Sequence, residues 1–214
     1  MKFYHFTVSR QQTHLILAQR SVNIVIRLLW SVCVVDPVSG VTQLHNVVYF
    51  VCYGSQIINT YAPNTLSPLA EDIHVEGMKM PSDIVACRRD RQLYVADWDY
   101  CIWRVSVDDH SYVMWLPNES GTFRVSTLSL TSNGLLVTSS QPPALRRYST
   151  TDKALLHEVE LSQQYVRELD PRWSLFHAVE TTRGTFVVSH YITSEDKEQW
   201  AVSEHDFVII LTMA

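Results

Sequence analysis

Glycine is scarce in this 214-residue chain, with only six. That leaves no room for a dinucleotide fingerprint or a phosphate-cradling loop, and no GxSxG elbow occurs either. Charge is also sparse. Lys and Arg number 17 against 22 Asp and Glu, and no basic stripe offers the electrostatic footprint that nucleic acid requires. No apolar run reaches the roughly 20 residues of a spanning helix. The best stretch, Asn23 to Val35, is short and carries Arg27, so no membrane span is expected. The N-terminus has one Lys, no compact apolar core before Arg10 and no small-residue cleavage site, unlike a conventional signal peptide. The four cysteines, Cys33, Cys52, Cys87 and Cys101, show no CxxC and no zinc spacing. As strand residues, Cys87 and Cys101 fall on the order of 10 Å apart, beyond the ~7 Å a disulfide tolerates. They read as buried thiols. With neither a leader nor a disulfide framework, the expected compartment is the cytoplasm.

What the chain does have is repetition. Apolar residues make up 46%, enough for a packed core, and they fall in short runs that alternate or run on without helical spacing. Asp83 to Cys87 is followed by the polar turn Arg88 to Arg91, then by Leu93 to Ala96, Cys101 to Val105 and Tyr112 to Leu116. These four β-rich runs, bounded by turn residues, make one meander. The next copy runs through Ser126 to Leu130, Leu135 to Thr138, Leu145 to Tyr148 and Ala154 to Leu161. A further one uses His177 to Glu180, Thr185 to Ser189, Trp200 to Ser203 and Phe207 to Leu211. Upstream lie Val41 to Leu44, Val47 to Cys52, Gln56 to Tyr61 and Ile73 to Val75. Taking Phe50, Val95, Val137 and Val187 as equivalents, the period is roughly 42 to 50 residues, that of a propeller blade. A β-sandwich has no reason to repeat every fourth strand with the same turn chemistry. The expected fold is therefore all-β and β-propeller-like, with about four four-stranded blades at 41–80, 81–124, 125–174 and 175–214. Residues 1–40 match no unit.

In the clearest unit, Pro81, Ile84 to Ala86, Tyr94-Val95-Ala96-Asp97 and Ile102 to Val105 resemble the NHL-repeat family of propellers. The unit departs from that pattern at Asp83, where the family commonly has Gly, and in the Gly-free turn Arg88 to Arg91. The resemblance implies that Asp97 fixes the loop after its strand by accepting backbone N–H bonds, with Cys52, Ser139 and Ser189 near that position in the other copies. Family propellers close with about six blades, so this chain is expected to be an incomplete or open six-bladed propeller. Either Ile24 to Val35 supplies closing strands, or the chain is a fragment.

The starts of the innermost strands are Asp83, Thr127 and His177, which in a propeller project toward the central channel, with His45 near its mouth. Some propellers of this class are hydrolases or lyases that hold Ca or Zn. Asp83, His177 and Glu180 are the residues such a site would use here, although Thr127 is a poor ligand and an ion wants three or more convergent groups. The simpler reading is a scaffold with no catalytic residue and no cofactor. Its ligand-binding residues would be Asp83, Trp98, Asp99, Tyr100 and His177, and its partner a protein or peptide, with carbohydrate also suited to exposed aromatics. Trp103 and Trp115 sit on strands and are expected in the core, whereas Trp98 opens a loop. By family analogy alone, the chain could be the substrate-recognition part of a ubiquitin-ligase system. It has no RING-type Cys/His spacing of its own.

Overall fold

The computed structural model describes residues 4–6, 15–17, 37–65, 67–98, 101–117, 124–160, 173–180, 185–192 and 209–212. Every regular element among them is a β-strand, and no helix there is long and apolar enough to cross a membrane. A short hairpin pairs β1 (Tyr4–Phe6) with β2 (Leu15–Leu17). Three four-stranded antiparallel meanders follow in chain order. The first is β3 (Val38–Leu44), β4 (Val47–Cys52), β5 (Ile57–Tyr61) and β6 (Ile73–His74). The second is β7 (Pro81–Cys87), β8 (Gln92–Asp97), β9 (Cys101–Ser106) and β10 (Tyr112–Pro117). The third is β11 (Arg124–Leu130), β12 (Leu135–Gln141), β13 (Pro143–Tyr148) and β14 (Leu155–Glu160). A three-stranded sheet closes the series with β15 (Trp173–Glu180), β16 (Thr185–Ile192) and β17 (Ile209–Thr212). The segments Ile24 to Val35 and Trp200 to Ser203 lie outside the described residues.

The residues explain which strands are inner and which are outer. β4 (VVYFVC) and β8 (QLYVAD) are near-continuous β-branched and aromatic runs, buried on both faces as strands flanked on each side must be. Burying a side chain such as Phe50 contributes roughly 1.5 to 3 kcal/mol. The outer strands β10 and β14 each leave an apolar pair exposed, Val113 with Met114 and Leu155 with Leu156. Trp103 and Trp115 are buried as expected, each edge-on to a tyrosine, Tyr112 and Tyr148. Cys87 and Cys101 are buried and not disulfide-bonded.

The chain forms two compact units, Met1–Asp97 with Trp103–Met114 and Trp98–Ile102 with Trp115–Ala214. Within the first, β3 lies against β7; within the second, β11 lies against β15. The first hairpin of each of the four larger sheets carries the same irregularity. The register slips by one residue between Val38 and Gly40, Pro81 and Asp83, Val125 and Thr127, and Leu175 and His177. Such bulges bend a strand and re-aim its end. They also fix the true equivalences. Gly40, Asp83, Thr127 and His177 lie opposite Val51, Ala96, Thr138 and Ser189. The buried valine of β16 that matches Val95 is Val188 rather than Val187.

Candidate binding face

At the strand-start end of the first unit, β3 packs tightly against β7. The bulge residue Ser39 donates its hydroxyl to the Pro81 carbonyl at 2.5 Å, with the Val51 carbonyl at 3.3 Å. Gly40 presses against the backbone of Asp83 and Ile84; a Cβ there would sit 2.7 Å from the Ile84 nitrogen. Asp83 is partly buried, and its Oδ1 accepts the Ile84 N–H at 2.8 Å. That bond orients the carboxylate along its own strand.

Asp97 is fully buried and accepts three hydrogen bonds: Lys79 N–H at 3.0 Å, Met80 N–H at 2.7 Å and the Trp103 indole N–H at 3.1 Å. Its two backbone partners lie in the segment leading into β7, which it fixes, and its indole partner Trp103 lies on the strand after its own. By register its counterparts are Cys52, Ser139 and His190, opposite Val38, Val125 and Leu175. Ser189 belongs one step away, facing His177.

Beside this frame lies an apolar group that the sequence reading missed. Tyr53 and Ile57, flanking the β4–β5 turn, are each 38% exposed. The Tyr53 hydroxyl donates to the Met80 sulfur at 3.0 Å, and its backbone N–H donates to Pro37 O at 3.0 Å. The signal was available, since Tyr53-Gly54 follows an apolar strand directly.

In the second unit Trp98 is partly buried, and its carbonyl accepts the Val125 N–H at 3.2 Å. It is thus pinned by its backbone to the start of β11. Asp99 and Tyr100 lie outside the described residues. Thr127 is buried. His177 is partly buried, and withdrawal from water pushes its imidazole from 6.5 down to about 4. The native state thus holds it neutral where the unfolded chain takes up a proton. Stability is intact above about pH 6.5 and falls by about 2 to 3 kcal/mol between there and pH 4. Urea midpoints measured from pH 7.5 to 4.5 should show this slope, and His177→Gln should flatten it. An unchanged slope in the variant would assign the acid sensitivity elsewhere.

Two sequence-based placements change. His45 sits in the β3–β4 turn, at the end of β3 remote from Gly40, so it is not near the strand-start mouth. Glu180 is three residues along β15 from His177 and so on the opposite face of the strand. Its carboxylate accepts the Ser132 N–H at 2.9 Å and lies 3.7 Å from Arg147. It does not converge with His177 on one ion. Among the described residues, no three His, Cys, Asp or Glu side chains cluster as a metal site would require.

This series of antiparallel meanders is a β-propeller architecture, and the solved structures it resembles include a β-propeller domain. The computationally designed Ika4 protein matches with a TM-score of 0.55 at 10% identity, covering 84% of this chain and 92% of that one. The Cps50 (Swd1) β-propeller domain of Myceliophteria thermophila matches at 0.54 and 8% identity, covering 81% of this chain and 57% of that one. Glutaminyl cyclase of Myxococcus xanthus matches at 0.53 and 10% identity, covering 74% and 69%. At such identities the likeness is one of fold alone. No family model matches the sequence, and no curated protein does.

Proposed function

We propose that the chain is a non-catalytic β-propeller scaffold that binds a protein or peptide through the strand-start ends of its sheets. The observation that carries this reading is the Tyr53–Met80 pair. An exposed aromatic is held at both hydroxyl and backbone, beside an exposed Ile57 and a partly buried thioether. Rigid tyrosine next to adaptable methionine is the chemistry that recognition surfaces favour, because little side-chain entropy is lost on binding. Asp83 adds a polar contact at a strand start of the same unit; the second unit, taken by itself, offers Trp98 and His177 at its own strand starts. Exposed aromatics also suit a carbohydrate, which is the other ligand class to screen. The NHL-like lineage rests on Pro81, Tyr94-Val95-Ala96-Asp97 and Ile102 to Val105, and is part of this proposal.

The test is selection of peptides from a displayed library on the purified protein, followed by affinity measurement on variants. Tyr53→Ala should weaken peptides that bind the first unit, and Trp98→Ala those that bind the second, about tenfold or more, the scale of a binding hot spot. Tyr53→Ala should leave the melting temperature within a few degrees, as exposed substitutions do. Binders indifferent to both changes, or a selection that yields none, would overturn the assignment.

A further inference from the structure

At the opposite end of the first unit, three side chains join two sheets in a way that the binding face does not use. Arg91, in the β7–β8 turn, holds Asp108 through Nε at 2.8 and 3.0 Å and through Nη2 at 2.5 Å. Its remaining Nη1 reaches across to His45 Nε2 in the β3–β4 turn, at 2.8 Å. A guanidinium can only donate. His45 Nε2 must therefore carry its lone pair, and the ring must be the neutral tautomer protonated at Nδ1.

The backbone supports the same contact independently. His45 and Arg91 both have φ 52°, in the left-handed region. His45 is the first central residue of a two-residue hairpin turn, a place where glycine is usual. Arg91 closes a turn that contains no glycine. Strained residues persist where surrounding contacts over-determine them, and here the two strained residues touch each other.

We infer that His45, Arg91 and Asp108 form a proton-operated latch between the first two sheets. A proton from solvent adds to the Nε2 lone pair, an N–H bond forms, and the Arg91–His45 hydrogen bond is lost. Two cations then face each other. Asp108, whose carboxyl Arg91 holds below the usual carboxylate range, becomes the anion for which they compete. The other charged or titratable groups near the latch are Asp109, which acts on Asp108, and the buried phenol of Tyr49, on which Arg91 and Asp108 both act. Gln43 completes the surroundings by donating to the His45 carbonyl at 3.3 Å. The second unit supplies an internal control. There Glu180 accepts from Ser132 to join the corresponding turn to β15, and that link contains no imidazole, the side chain that ordinarily changes charge between pH 8 and 5.

The experiment is NMR on the whole chain from pH 8 to 5.5, following the His45 ring nitrogens and the exchange protection of turn amides. At pH 8 the ring should show the Nδ1–H tautomer. On acidification, protection at 44–47 and 88–92 should fall about tenfold, the equilibrium factor of one hydrogen bond to a charged group, while 131–135 holds. His45→Gln, whose amide oxygen can accept the same bond without titrating, should stay protected throughout. Arg91→Gly should be poorly protected already at pH 8 and insensitive to acid. An Nε2–H tautomer at pH 8, the same acid response in His45→Gln, or equal loss at 131–135 would each overturn the latch.

Discussion

Gly40→Ala should be among the most damaging single-methyl additions to this chain, lowering stability by about 3 kcal/mol. That is the upper part of the range for forcing a group into filled space. The new Cβ would lie 2.7 Å from Ile84 N, 2.8 Å from Asp83 Cα and 2.9 Å from Asp83 C. All three are backbone atoms of β7, so no side chain can swing aside. Either β3 and β7 part, or the strand start distorts together with the Ser39–Pro81 bond. For a chain of this length the change is worth roughly 6 to 12 °C in melting temperature. Gly54→Ala separates sterics from backbone preference. Gly54 has φ 81° and nothing within 4 Å of its would-be Cβ, so its cost is conformational alone, about 1 kcal/mol. If Gly40→Ala melts no lower than Gly54→Ala, the close approach of the two strands is wrong.

Asp97→Asn should cost about 3 to 5 kcal/mol, although it is nearly isosteric. Oδ1 takes the Met80 N–H, while Oδ2 takes both the Lys79 N–H and the Trp103 indole N–H. An amide has one oxygen for these three donors, and its NH₂ would point at an N–H in either orientation. At zero exposure no water can stand in, and unpaired buried donors add their own desolvation penalty. Urea unfolding followed by tryptophan fluorescence reads this directly, because Trp103 reports on the broken contact. A midpoint equal to that of the parent chain would show that Asp97 does not anchor the entry into β7.

The middle strands were the most legible part of the fold. β4 was read from the sequence as Val47 to Cys52 and occupies those residues, because a strand buried on both faces writes a continuous apolar run. The first strands were read too short at their starts. β7 begins at Pro81 rather than Asp83, β11 at Arg124 rather than Ser126, and β15 at Trp173 rather than His177. In each, the bulge interrupts the alternation that marks a strand, so the residues before it look like loop. Yet Val38-Ser39-Gly40, Pro81-Ser82-Asp83 and Val125-Ser126-Thr127 repeat a serine at the bulge, a cue that alignment on the apolar runs alone passes over. The Asp97 bonds span 17 and 18 residues backward, and nothing local in the sequence announces their direction. The left-handed turn at Arg91 was equally silent, since backbone sign there depends on contacts from another sheet.

A bulge also settles a question of alternatives. Slipping an antiparallel strand by one residue turns its core face to solvent, and a chain that repeats itself every forty-odd residues has many near-equivalent partners to slip toward. The extra residue at Ser39, Ser82, Ser126 and Phe176 fits its hairpin in one register only, so each first strand is locked against sliding. Being common to all four of the larger sheets, the lock cannot tell one strand from another. That discrimination falls to the residue just after it, which is glycine, aspartate, threonine or histidine in turn. Of these, only glycine can lie against the bare backbone of β7. The bulge sets each strand's register, and the residue that follows it serves as the strand's address.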